Sequence, residues 1–212
     1  CSETDAHIAT VSGRFYAMDR DKRWERVAPA YHALVEATGE HFSGTATDAL
    51  NAAYARGEND EFVAPTIVGH GAPMKDGDVV VFMNFRADRA REITTALTDP
   101  SFAGFERRMP KLADFVCLSY FGDAYAGLST AFRNDTIANG LGEVLAARGL
   151  RQLRIAETEK YAHVTYFFSG GREVPFEGES RLLIPSPKVP TYDLKPEMSA
   201  PEVTDTTMEF IR

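Results

Sequence analysis

Cysteine is nearly absent: Cys1 and Cys117 are the only two in 212 residues, too few for a disulfide scaffold and spaced unlike any zinc motif. Long apolar runs are missing as well. The longest, Val79-Val80-Val81-Phe82-Met83, is far too short to span a bilayer. Basic charge is scarce, with 23 Lys and Arg against 31 Asp and Glu and a formal net charge of −8. That balance argues against a nucleic acid or an anionic membrane held by bulk electrostatics. It leaves open a small anion held by a few local arginines. No Gly-rich loop ending in Lys-Ser/Thr is present, nor any His-Glu-x-x-His, and Gly140-x-Gly142 lacks the third glycine of a dinucleotide site. The five histidines, His7, His32, His41, His70 and His163, include no pair at metal-ligand spacing. Of these, His32 is expected to face solvent, and His163 beside Lys160 to be structural.

What is present is enough for a folded core, with 44% hydrophobic and 25% charged residues. Strand-like and helix-like patterns alternate, which predicts the α/β class. A short strand is expected over His7–Ser12, turning at Gly13. Trp24, Val27, Tyr31, Leu34 and Val35 at helical spacing predict an amphipathic helix over 22–37, ending near Gly39. Ala46, Ala49, Leu50, Ala53 and Tyr54 predict a second, closed by Gly57. Phe62–Val68 reads as a strand, and Val79–Phe85 as a strand buried on both faces. A helix bearing Ala90, Ile93, Ala96 and Leu97 follows, then a buried strand over Asp114–Tyr120. Asp135 is expected to cap a helix carrying Ile137, Leu141, Val144 and Leu145, stopped by Gly149. Strands are predicted at Gln152–Ala156 and Arg181–Ile184, with a helix over Glu159–Phe168 between them. The last helix should open on a capping box, Ser199-Ala200-Pro201-Glu202. Gly, Ser, Thr and Asn cluster near 122–134, which is the expected domain boundary.

Chemistry concentrates in arginines placed after strands. Arg14 and Arg20 follow the first strand, and Arg86 and Arg89 come off the carboxyl end of the Val79 strand, where ligands of open α/β sheets bind. A guanidinium keeps its charge and pairs as a planar fork with phosphate or carboxylate. Asp19, Asp21 and Asp88 lie beside these arginines, so spacing alone leaves surface ion pairs and an anion site equally open. Arg23 and Arg91, further along their helices, are expected to be solvated. Lys160, between Glu157-Thr158-Glu159 and Tyr161, reads as the first turn of a helix with acids at its start; a catalytic point charge is the other reading.

Four longer stretches occur in order: Ser12-Gly13-Arg14-Phe15-Tyr16-Ala17-Met18-Asp19-Arg20-Asp21, Asn84-Phe85-Arg86-Ala87-Asp88-Arg89-Ala90-Arg91-Glu92, Glu157-Thr158-Glu159-Lys160-Tyr161-Ala162-His163-Val164-Thr165 and Ser186-Pro187-Lys188-Val189. Together they closely resemble the cofactor-independent (2,3-bisphosphoglycerate-independent) phosphoglycerate mutases of the alkaline-phosphatase superfamily, from Ile8 to Arg212. The resemblance implies a cytoplasmic, monomeric glycolytic isomerase that interconverts 3-phosphoglycerate and 2-phosphoglycerate through a phosphoserine. It implies two manganese ions, no 2,3-bisphosphoglycerate, a small-molecule substrate, and neither nucleic-acid nor membrane partners.

By the same resemblance, Arg14, Arg20, Arg86 and Arg89 are substrate-binding, and Lys160 is the active-site lysine of the phosphatase-like domain. Residues 1–130 correspond to the second part of an inserted substrate-binding domain. Residues 131–212 correspond to a linker and part of the alkaline-phosphatase-like domain. Ser12 and Ser186 lie in matching stretches but neither matches the family's nucleophile. No residue here matches a metal ligand, so the 212 residues look like an internal slice, inactive alone, with Cys1 a cut edge rather than a lipid anchor or amino-terminal nucleophile. Other metal-dependent phosphomutases or phosphatases of the superfamily, or a non-catalytic anion-binding module, are the alternatives.

Overall fold

The computed structural model describes residues 5–133 and 137–211. The chain divides into two compact units, 1–132 and 133–212. In the first unit, β1 (Thr10–Val11) runs antiparallel to β3 (Thr66–Val68), which pairs in parallel with β2 (Glu40–Phe42). Between these strands come α1 (Arg14–Ala17), α2 (Trp24–Glu36) and α3 (Ala46–Ala55). A second, all-parallel sheet has the order β4 (Val79–Phe82), β5 (Asp114–Ser119), β6 (Ser129–Phe132), with α4 (Arg91–Thr98) crossing from β4 to β5. The α/β class therefore holds.

The core forms where the apolar stripes of two helices meet one face of the second sheet. Val27, Tyr31 and Val35 of α2 and Ile93, Ala96 and Leu97 of α4 are buried with Phe115 and Cys117 of β5 and the following Phe121. These are the residues whose 3.6-residue spacing predicts the two helices. Tyr31 is fully buried, yet its hydroxyl donates to the Arg108 carbonyl at 2.8 Å, so the burial leaves no polar group unpaired. Burying each such side chain contributes roughly 1.5–3 kcal/mol. Burial also pushes the Cys117 thiol up to about 11, which leaves it an inert core residue.

The Val79 strand differs from expectation. It is four residues long, and Val79 and Val81 are 58% and 56% exposed while Val80 and Phe82 pack on the core. A continuous apolar run does not say how many faces are covered. Here β4 is an edge strand whose Val80 and Phe82 meet the core while Val79 and Val81 face outwards. β2 and β6 are strands that the sequence pattern does not announce. At the end of α2, Ala37 (φ 51°) takes the left-handed C-cap position two residues before the expected Gly39. α3 has a capping box formed by Thr45 and Asp48.

In the second unit, β7 (Gln152–Glu157) and β8 (Glu179–Ile184) pair in parallel over six residues. α5 (Leu141–Ala147) precedes them, and the expected cap at Asp135 lies outside the described residues. Gly149 (φ 67°) follows α5 where the stop was expected. α6 (Thr158–Ala162) continues into a π-helical turn, His163–Phe167, so the segment is helical as predicted. α7 (Ala200–Ile211) closes the unit. The expected Ser199–Glu202 box is not what holds its start. The Ser199 hydroxyl donates to the Pro185 carbonyl at 2.8 Å, and its amide donates to Glu157 Oε2 at 3.2 Å. Glu157, at the end of β7, takes the Ser199 amide that Glu202 would accept in the box.

Candidate functional site

Gly13 sets the entry to the arginine-bearing segment. Its amide donates to the Val63 carbonyl at 2.7 Å, and a Cβ there would run into the backbone of Glu61 and Val63, so only glycine fits. α1 follows at once, and Arg14 at its first position forms an ion pair with Glu61 at 2.8 Å, both side chains well exposed.

The loop after α1 is folded around one carboxylate. Asp19 Oδ2 accepts the amides of Asp21 and Arg23, each at 2.9 Å, a local turn that asparagine and aspartate favour. Lys22 sits at φ 54°, and its amide donates to Glu92 Oε1 at 2.8 Å. Arg20 then reaches Asp88 Oδ2 at 2.7 Å, and Arg89 Nη1 donates to the Met18 carbonyl at 2.9 Å. Three bonds thus tie residues 18–22 to residues 88–92, stretches about seventy positions apart. Arg86 joins from the same side, 3.3 Å from Asp88 Oδ2.

These pairs are not surface ion pairs in the main. The Arg20 and Asp88 side chains are 10% and 5% exposed, whereas the Arg86 side chain is 60% exposed. Behind them Asp19 meets Arg26 at 3.7 Å, and that guanidinium lies 4.0 Å over the Phe15 ring. Glu92 is buried beside Asp19. Burial raises its pKa from the ordinary 4.5 to about 8, against the Lys22 amide bond that lowers it, and the Asp19 carboxylate adds to the rise. Glu92 therefore holds its proton near neutrality. Asp88 takes both arginines on one oxygen, and of the two only Arg86 is exposed.

Arg20, Arg86 and Arg89 are thus brought together, while Arg14 is engaged separately by Glu61. The expected exposure of three residues needs correction. Arg91 is anchored, its Nε donating to the Phe121 carbonyl at 2.8 Å, because α4 passes the end of β5 there. His32 is half-buried, paired with Glu36 at 3.1 Å one turn on and packed against Tyr31 and Phe105. Arg23 is half-buried as well, since Asp19 turns its backbone inward. Spacing points to Asp19 and Asp88 as neighbours of the arginines; the acid it does not single out is Glu92. Glu92 flanks the apolar stripe of α4, the one sequence signal that an acid there meets the core.

In the second unit Lys160 stands on the exposed side of α6, just beyond the carboxyl end of β7. The loops after β7 and β8 are clasped reciprocally. Ser186 Oγ accepts the Glu159 amide at 3.1 Å, and Thr158 Oγ1 accepts the Ser186 amide at 3.2 Å. The clasp fixes the lysine's backbone. Among the described residues its ammonium makes no ion pair. Also among the described residues, no three His, Cys, Asp or Glu side chains are grouped to hold a metal, so this chain's donors do not fit the two manganese ions. No helix of the described residues is long and apolar enough to cross a membrane.

The family model described as BPG-independent PGAM N-terminus matches residues 1–123, more than half of the chain. The chain belongs to this family. Among curated relatives, the 2,3-bisphosphoglycerate-independent phosphoglycerate mutase of Laribacter hongkongensis is 61% identical over 207 residues, covering 98% of this chain and 41% of its own length. That of Chromobacterium violaceum is 57% identical over 208 residues, with the same coverage. A phosphoglycerate mutase from Leishmania mexicana, solved at low cobalt concentration, superposes with a TM-score of 0.86 at 30% identity, covering 97% of this chain and 39% of that one. The chain spans about two fifths of the length of the phosphoglycerate mutases it matches.

Proposed function

We propose that these residues form part of a 2,3-bisphosphoglycerate-independent phosphoglycerate mutase, a cytoplasmic glycolytic isomerase interconverting 3-phosphoglycerate and 2-phosphoglycerate. The observation that carries the reading is the convergence of Arg20 and Arg86 on one buried carboxylate, with Arg89 tied to the same loop. It occurs in a chain 61% identical along nearly its whole length to a protein so named.

A substrate with a phosphate and a carboxylate needs several fixed cations, and phosphoryl transfer is chiefly positioning and charge stabilisation. Arg86, its side chain mostly exposed, meets the anion. Arg20 and Arg89 build the wall behind it, and Arg14 adds a charge at the rim. Lys160 contributes a point charge where negative charge grows in the transition state. In this reading, residues 1–130 belong to the substrate-binding domain and 131–212 to a linker and the alkaline-phosphatase-like domain. The enzyme is a manganese-dependent monomer that needs no 2,3-bisphosphoglycerate. Among the described residues no three metal-ligating side chains are grouped, so the manganese ligands belong to other parts of the enzyme.

The test is conversion of 3-phosphoglycerate to 2-phosphoglycerate by the enzyme carrying this chain, with manganese present and 2,3-bisphosphoglycerate removed. Turnover supports the reading. Turnover of another phosphorylated compound, such as a phosphopentose, with none of phosphoglycerate would sink it.

A further inference from the structure

Asp88 is the point on which the arginine cluster is hung. Its Oδ2 accepts from Arg20 at 2.7 Å and from Arg86 at 3.3 Å, so the two guanidinium groups are spaced by a single oxygen atom. The carboxylate lies at the start of the segment leading into α4, which packs on the core through Ile93, Ala96 and Leu97. Ala87 and Ala90 on either side are buried, so the backbone that carries it is rigid. Among the described residues, Oδ1 of the same carboxylate is buried with no hydrogen-bond partner. A buried carboxylate oxygen left bare is costly for stability alone. A group retained at such a cost is better explained by what its other oxygen orients.

The two arginines are held differently. Arg20 is nearly buried and its bond is short; Arg86 is mostly exposed and its bond is long. We propose that Asp88 is a positioning residue for the anion site: it locks Arg20 as a fixed post and presents Arg86 beside it, so that an incoming anionic group meets a prearranged pair of forks. The proposal rests on the reading of this unit as a phosphoglycerate-binding domain. Asp88 itself touches no substrate in it. Its contribution is the loss of freedom that the arginines would otherwise suffer at binding.

The experiment compares Asp88→Asn with the unsubstituted enzyme carrying this chain, measuring kcat and KM for 3-phosphoglycerate separately. Asparagine has nearly the same shape but cannot hold two guanidinium groups by charge. The expected result is a KM raised by about tenfold or more with a smaller fall in kcat. A role confined to folding would instead reduce the active fraction, lowering apparent kcat at unchanged KM, and that result overturns the proposal. Unchanged kinetics overturn it too. If Asp88→Asn does not fold, Asp88→Glu is read the same way. It keeps the charge and moves the oxygen by one methylene, so a raised KM supports the proposal and an unchanged one overturns it. Should the unsubstituted enzyme not turn over phosphoglycerate, the functional reading fails by itself. The same proteins are then titrated with inorganic phosphate, where binding about tenfold weaker in the variant supports positioning and equal binding overturns it.

Discussion

The two units present their cations in opposite ways. In the first, Arg20 is sunk against Asp88, Arg89 is fastened to a backbone carbonyl, and Arg26 backs onto Asp19 and the Phe15 ring. In the second, the backbone around Lys160 is clasped by Thr158 and Ser186 while the ammonium stands in solvent. A guanidinium suits the first arrangement because its planar fork can satisfy a buried acid and still offer other N–H groups. An ammonium on a flexible stem suits the second, where the charge is left mobile in solvent. Orienting the arginines costs conformational freedom when the chain folds; the lysine keeps that freedom in the folded chain.

The sharpest way to break this contrast is Arg20→Ala. It leaves the Asp88 carboxylate buried with only the looser Arg86 contact. Unfolding by urea should show a loss of about 3 kcal/mol, the low end for stripping one partner from a buried ion pair. A loss below about 0.5 kcal/mol would mean that the pair is no anchor. Next comes Arg86→Ala, which should spare stability because the side chain is mostly exposed. In phosphoglycerate turnover it should cost about 2–5 kcal/mol, as for truncating a charged pair with a ligand. A change in activity under about threefold would count against Arg86 as a ligand contact.

A third, pH-dependent effect tests the acid layer beneath the arginines. Glu92 has a folded pKa of about 8, above its ordinary 4.5, so the native state holds a proton that the unfolded chain releases. The groups facing it are Asp19, Asp21 and the Lys22 amide. Its contribution is fully present below about pH 4.5, declines as pH rises towards 8, and is gone above that. Glu92→Gln, which cannot ionise, should therefore flatten the fall in stability between those limits, read from unfolding midpoints across pH. Equal slopes in both proteins would show that Glu92 is already ionised. The smallest effect belongs to the second unit: Lys160→Ala should change stability by less than about 0.5 kcal/mol. A larger loss would erase the distinction between the two regions.

Much of this was legible before the fold. Val27, Tyr31 and Val35, or Ile93, Ala96 and Leu97, can form one buried stripe only on a helix, so α2 and α4 follow from spacing. The positions of Arg14, Arg20, Arg86, Arg89 and Lys160 after strand ends were equally plain. Caps were not. Ser199 has every local sign of a capping box and uses its groups elsewhere, while Thr45 and Asp48 form one without the glutamate or glutamine that marks it most strongly.

Which residues could share a face was fixed locally, in the sequence, because the periods of helix and strand are properties of the backbone alone. Family membership was settled there too, since long stretches of side chains in order are a property of the chain. Which acid each arginine would take depended on the folded chain. The fold also decided that Val79 and Val81 would face outwards, that Arg91 would be anchored, and that Glu92 would keep its proton. Ion pairing, burial and desolvation all depend on atoms brought from far along the chain. No local pattern around residue 20 contains the carboxylate of Asp88.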